Sequence, residues 1–265
     1  MDADFHFDRN YYRAVLAYFI LIFTTACAIP ERETNVHPIS HNLWTEVLQD
    51  IVMQNGMVDY QRLINNPNKF YSYIKILEGN HPDKSTWNRE EKLAYWINAY
   101  NAFTLQLIID NYPLSSIKDL NSTVSIPFVN TIWDKSFILI SDFSYSLNDI
   151  EHGMLRKQFN EPRIHFAINC ASVSCPNLRN EAYTAENLNK QLDMQSRLFI
   201  NDETKNLIDN QNLKISKIFS WFSDDFTKNG TLIEFLNKYS EVEINENTDI
   251  SFREYDWSLN DSNGH

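Results

Sequence analysis

The chain has 265 residues, of which 43% are hydrophobic and 14% aromatic, enough apolar material for one globular domain of ordinary to large size. Its 35 acidic and 23 basic residues give a formal charge of −12, a field that repels phosphate backbones, and no local basic patch offsets it, so no nucleic-acid partner is expected. Only 5 Gly and 8 Pro, and no self-similarity at solenoid repeat lengths, argue against collagenous, low-complexity and repeat architectures.

The chain opens with a targeting pattern. Arg9 and Arg13 precede the apolar run from Ala14 to Ala26, and Cys27 comes directly after Thr24, Thr25 and Ala26. A basic flank, a short apolar run and small residues describe a secretory signal, too short to span a bilayer comfortably. A cysteine at that point resembles the lipobox of bacterial lipoproteins, which makes Cys27 the expected lipidation site. The other reading is an uncleaved anchor helix. The expected layout is a signal over residues 1–27, a tether over 28–39 containing Pro30 and Pro38, and a domain over 40–261. The expected location is the bacterial cell envelope, periplasmic and held to a membrane by the lipid. An exported chain sits where disulfides persist, and Cys170 and Cys175 are then the cysteines left to pair.

In chain order, Leu43, Trp44, Val47, Leu48 and Ile51 recur at helical spacing within residues 40–54, and Asn55-Gly56 ends that helix before a short extended piece over 57–60. A second helical pattern runs over 63–77 with a break near Pro67. Asn88 with Glu91 three positions on reads as an N-cap, and opens a long central helix near 90–111 that Pro113 stops. A short helical turn over 113–120 comes next. Alternation over 137–145 predicts a hairpin. Asn148 with Glu151 reads as another N-cap, for a helix over 151–159, and Arg163 to Cys170 reads as a strand. Thr184 is expected to cap a helix over 185–199. A hairpin over 207–215 is expected after it, then helices over 218–226 and 230–239, and an alternating tail over 250–260. The class is α+β: a helix-rich single domain with several short strands.

The chemistry concentrates between Arg163 and Leu178, where His165, Asn169, Cys170, Ser172, Ser174 and Cys175 crowd together. On a strand, His165, Ala167 and Asn169 would share one face, and Ile164, Phe166, Ile168 and Cys170 the other. That alternation predicts a core-facing Cys170 and an accessible Cys175. The residues admit three readings. A thiol-dependent hydrolase or acyl transferase would use Cys175 or Cys170 as nucleophile, His152 or His165 as base, and Glu151 or an asparagine to orient it, since the thiolate is the reactive form. Asn98, Asn101, Asn169 and Arg156 would then line the substrate cleft. A second reading is a metal site of His152, His165, Cys170 and Cys175. The third is a non-catalytic binding or scaffold module with a local disulfide or buried thiols, in which Asn98 and Asn101 tie loops to the helix and His152 pairs with Arg156 at i+4. No cofactor is expected, and a small-molecule, peptide or protein ligand stays open.

Four segments, Tyr95–Asn101, Asp149–Arg156, His165–Pro176 and Tyr255–Asn260, together resemble the signature blocks of the family called domain of unknown function 547. That family occurs in exported bacterial proteins and in plant and animal multidomain proteins. The resemblance implies no established activity.

Overall fold

A computed structural model describes residues 37–121, 131–209 and 213–264. The expected signal, Cys27 and most of the tether lie outside the described residues.

Helices α1 (Asn42–Ile51), α2 (Tyr60–Asn65) and α3 (Asn68–Glu78) come first. The break between α2 and α3 falls at Asn66-Pro67, because proline disfavours helical backbone in the residue before it. The capping box read at Asn88 is present. Asn88 Oδ1 accepts from the Glu91 amide at 2.9 Å, and the Glu91 carboxylate accepts from the Asn88 amide at 2.6 Å. It opens α4 (Arg89–Ile109), in which every residue from Leu93 to Leu105 is buried. A helix buried round its whole circumference is a core element, which is more than the single wide apolar face its sequence shows. Helices α1 and α3 pack on each other, with Trp44 stacked on Tyr73 at 5.3 Å between ring centroids, and α2 and α3 pack on α4.

The expected hairpin is β1 (Ile138–Ile140) paired antiparallel with β2 (Phe143–Tyr145). A second apolar cluster gathers Phe166, Phe199, Phe219, Phe226 and Phe235. Beside it, β3 (Leu207–Ile208) and β4 (Leu213–Ile215) pair antiparallel, and β5 (Ile250–Phe252) joins β4 in parallel. Helix α6 (Leu188–Ile200) begins a turn later than Thr184 suggested. The helix expected over 218–226 is two pieces, α7 (Ile218–Trp221) and α8 (Ser223–Thr227), meeting at Phe222, and α9 (Leu232–Asn237) is capped by Thr231 and Glu234.

Two expectations near the polar stretch are overturned. The first is the helix start at Asn148. Ser146 is the capping residue: its amide and hydroxyl donate to Asp149 Oδ2 at 2.8 and 2.7 Å, and the Asp149 amide returns to Ser146 Oγ at 3.0 Å. Asn148 instead donates to Asp134 at 2.6 Å. The element this cap opens is a π-helix over Asp149–Arg156, which runs into the short α5 (Lys157–Phe159). Such wide turns are rare and frequent at functional sites.

The second is the strand over 163–170. Glu161 caps the Arg163 amide, and Pro162 at the first position presets helical backbone, so Pro162–Phe166 is a 3₁₀ turn that gives way to coil. Arg163 is held there by Glu161 at 2.6 Å and Asp193 at 2.8 Å. A turned backbone has no two-residue alternation, so the face assignment built on it fails.

Candidate active site

Asparagines set the frame of the polar stretch. Asn101 donates to the Ala167 carbonyl at 2.9 Å and accepts from the Asn169 amide at 2.8 Å. Asn98 does the same for Tyr183, at 2.8 and 3.0 Å. Asn169 donates to the Pro176 carbonyl at 2.7 Å and accepts from the Ala171 amide at 2.8 Å. Asn98 and Asn101 are therefore buried loop clamps rather than cleft-lining groups, which corrects their assignment to substrate. Asn169 lines a separate recess with Lys205 and Asn177.

With the loop held in this way, Ala171 adopts φ +60°, a left-handed conformation costing about 1–2 kcal/mol for an L side chain. The chain turns back, and Cys170 and Cys175 face each other with their sulfurs 2.6 Å apart. The Cys170 amide also donates to Cys175 Sγ at 2.9 Å. Cys175 is the buried member, 5% exposed, and Cys170 is half-buried, the reverse of the order that alternation predicted. The Tyr255 hydroxyl lies 3.4 Å from Cys170 Sγ and 3.3 Å from Ser172 Oγ.

The two thiols share charge unequally. The hydrogen bond to Cys175, together with burial, pushes Cys170 up. Burial also opposes ionisation of Cys175, but hydrogen bonds from Cys170, Tyr255 and the Cys170 amide, with the Lys205 charge nearby, outweigh it and bring Cys175 down. Loss of a proton from the pair is therefore favoured at Cys175 over Cys170.

His165 is buried, 3% exposed. Its Nε2 lies 2.7 Å from Asp225 Oδ2, and its Nδ1 has no partner among the described residues. A carboxylate only accepts, so Nε2 carries the proton and Nδ1 offers a lone pair. Burial holds this histidine below its ordinary value, hence neutral, against the pull of Asp225. Arg156 grips the same carboxylate through Nε at 2.6 Å and Nη2 at 3.1 Å, and the Phe222 ring stacks on the imidazole at 3.9 Å. Arg156 is thus committed to Asp225 and to His152, whose Nδ1 lies 3.0 Å from its Nη1. His152 is exposed, and burial of part of its ring together with Arg156 lowers its pKa.

The π-helix turns Glu151 inward, where it is 7% exposed and hydrogen-bonded to Tyr100. Burial first, and then the neighbouring Cys170 sulfur, push its carboxyl up to about 7. Glu151, His152, His165, Cys170 and Cys175 all line one cavity of about 180 Å³, together with Trp133, Trp221 and Trp257. A larger trough of about 1120 Å³ along α1–α3 holds surface ion pairs such as Arg62–Asp50 and no nucleophile. Among the described residues, no three His, Cys, Asp or Glu side chains gather as a metal site, so the four His and Cys side chains do not converge on one ion. No described helix is long and apolar enough to cross a membrane.

Residues 84–200 match the model of the family described as "Protein of unknown function, DUF547". The chain resembles that family. The DUF547 match runs from the loop before α4 to the end of α6 and takes in Glu151, His152, His165 and both cysteines. It stops short of Asp225 and Tyr255, which complete the site from outside it. No curated protein and no solved structure matches the chain.

Sequence reasoning misses Asp225, Tyr255 and Tyr100. Asp225 sits in a segment that reads only as a surface helix turn, and Tyr100 reads as core. Tyr255 belongs to a conspicuous Tyr-Asp-Trp cluster, the one signal that points to it.

Proposed function

We propose that the cavity is the active site of a thiol-dependent hydrolase or acyl transferase. One observation carries this reading: two sulfurs in contact share one cavity with a buried His165, whose Nδ1 has no partner among the described residues, and a protonatable Glu151. Cys170 is the nucleophile, because it is the less buried of the two cysteines. Its proton passes to the Cys175 thiolate at 2.6 Å as the bond from Cys170 Sγ to the acyl carbon forms. The bond to the leaving group breaks, and Glu151 supplies the leaving group's proton. His165 Nδ1 then takes a proton from water or another acceptor, whose heteroatom attacks the thioester and releases Cys170. Return of the protons from Cys175 to Cys170 and from His165 to Glu151 resets the site. Asp225 and Arg156 hold the imidazole in the required tautomer.

Reaction with a panel of p-nitrophenyl esters tests this. The expected result is a burst of nitrophenolate and an acyl adduct on Cys170, both lost in Cys170→Ser. A panel that leaves no adduct on either cysteine refutes it and favours the scaffold reading.

The basic flank, apolar run and Cys27 support a second, independent proposal: the protein is exported and lipid-anchored to a membrane of the bacterial envelope. Mass spectrometry of the mature N-terminus should find diacylglyceryl on Cys27, and an unprocessed Met1 would exclude it.

A further inference from the structure

We propose that Cys170 and Cys175 also form a thiol–disulfide exchange couple that reduces a low-molecular-weight disulfide entering the cavity. It uses the same two sulfurs as the acyl chemistry but does not depend on it. Acyl transfer needs one nucleophilic thiol and a base, and the second sulfur, a nitrogen or an oxygen can fill the base's role. A second sulfur in contact with the first is what disulfide exchange requires.

The geometry provides for it. The sulfurs are 2.6 Å apart, and a disulfide needs about 2.05 Å, so closure asks for a movement of roughly half an ångström. The intervening loop is pinned at both ends by other chain segments, so that movement need not loosen it. On one side Asn101 holds Asn169. On the other, the Val173 amide donates to the Ser258 carbonyl at 2.9 Å and the Asp256 amide to Ser174 Oγ at 2.9 Å. The two sulfurs also differ in access as attacking and resolving thiols must. Both line the cavity, with Cys170 half-buried and Cys175 5% exposed. The cavity, about 180 Å³, has the volume of roughly six liquid water molecules, which admits one arm of a small disulfide and excludes a folded domain. The stacked rings of Trp221 and Trp257, 5.8 Å apart in the cavity lining, give the rest of that molecule an apolar seat.

The exchange balances in two steps. Cys170, its proton passed to Cys175, attacks one sulfur of the external disulfide; a mixed disulfide forms and the first small thiol departs, taking the proton that Cys175 received. Cys175, again a thiolate, attacks Cys170 Sγ; the intramolecular disulfide forms and the second small thiol departs as thiolate, protonated from water. The small disulfide is reduced by two electrons and the cysteine pair is oxidised by two. Excess small thiol reverses both steps.

The reduced full-length chain is incubated with glutathione disulfide in glutathione buffers of graded ratio, alkylated and digested with trypsin. Both cysteines fall in the peptide between Arg163 and Arg179, and Cys27 falls in another. The expected product is that peptide lacking two hydrogens, with two glutathione thiols released per chain. Cys175→Ser should stop at a glutathione adduct on Cys170, and Cys170→Ser should react at least tenfold more slowly. Should either variant fail to fold, the wild-type peptide alone decides. A peptide that stays reduced at every ratio, or an adduct on wild type that never resolves, overturns the proposal. Disulfide formation without any acyl adduct in the ester experiment would sink the acyl reading alone, and an acyl adduct without disulfide formation would sink this one alone.

Discussion

His165 and Asp225 stand 60 positions apart in the chain and meet at 2.7 Å through Nε2 and Oδ2. This contact fixes the imidazole's tautomer and leaves the Nδ1 lone pair without a partner among the described residues. It also places Asp225, from a separate short helix, among the groups that set the chemistry.

Asp225 acts through His165, so its removal should be read in rate and pH profile together. Asp225→Asn should lower turnover of an ester probe by on the order of 10²–10⁴-fold, the range for losing general-base catalysis. Because the carboxylate raises the histidine's pKa, its loss should also move the acid limb of the profile to lower pH. An unchanged limb would assign Asp225 a purely structural role.

Glu151 should make the protein less stable as pH rises. The carboxyl is pushed from 4.5 up to about 7 by burial. Between those values the folded state keeps a proton that the unfolded state releases, so unfolding is favoured progressively; above about 7 both states are ionised and the loss levels off. With 1.36 kcal/mol per unit, the loss is about 3 kcal/mol. Denaturant titration at pH 4 and pH 8 should show it in wild type, with the corresponding difference absent from Glu151→Gln.

Asn101→Ala should destabilise by roughly 2–4 kcal/mol, because it strands a buried carbonyl at Ala167 and a buried amide at Asn169. Asn101→Asp is the sharper probe. It keeps the shape but cannot donate to Ala167 when ionised. Both should lower the denaturation midpoint and release the loop that holds the cysteines, raising the alkylation rate of Cys175.

In the folded wild type, iodoacetamide should reach Cys170 before Cys175, as exposure dictates. Peptide mapping over time reads the order directly. Modification of Cys175 first would restore the order that strand alternation predicted.

The helical frame was legible because its signals are local. Asn88 with Glu91 announces a capping box, Pro67 a break, and the spacing of apolar residues over 40–54 a helix, each within a few positions of its effect. The hairpins over 138–145 and 207–215 came from alternation between turn residues, which a solvent-facing pair of strands preserves. The same alternation misled at Arg163–Cys170, since an apolar run before Cys170 suits a strand and a buried turn alike, and Pro162 with the Glu161 cap settled it as a turn.

The α+β class, the central helix with its apolar face and the crowding of thiols with imidazole and carboxylate candidates were thus determined by the sequence alone, because all of them rest on composition and short-range spacing. Only the tertiary structure decided which cysteine is the more exposed, that Asn98 and Asn101 are clamps, and that Asp225 and Tyr255 join the candidate site. Those outcomes depend on contacts across 60 to 85 positions, as between His165 and Asp225 or Cys170 and Tyr255. Such contacts are set by how helices and turns pack around a shared core, and no local pattern of residues encodes that.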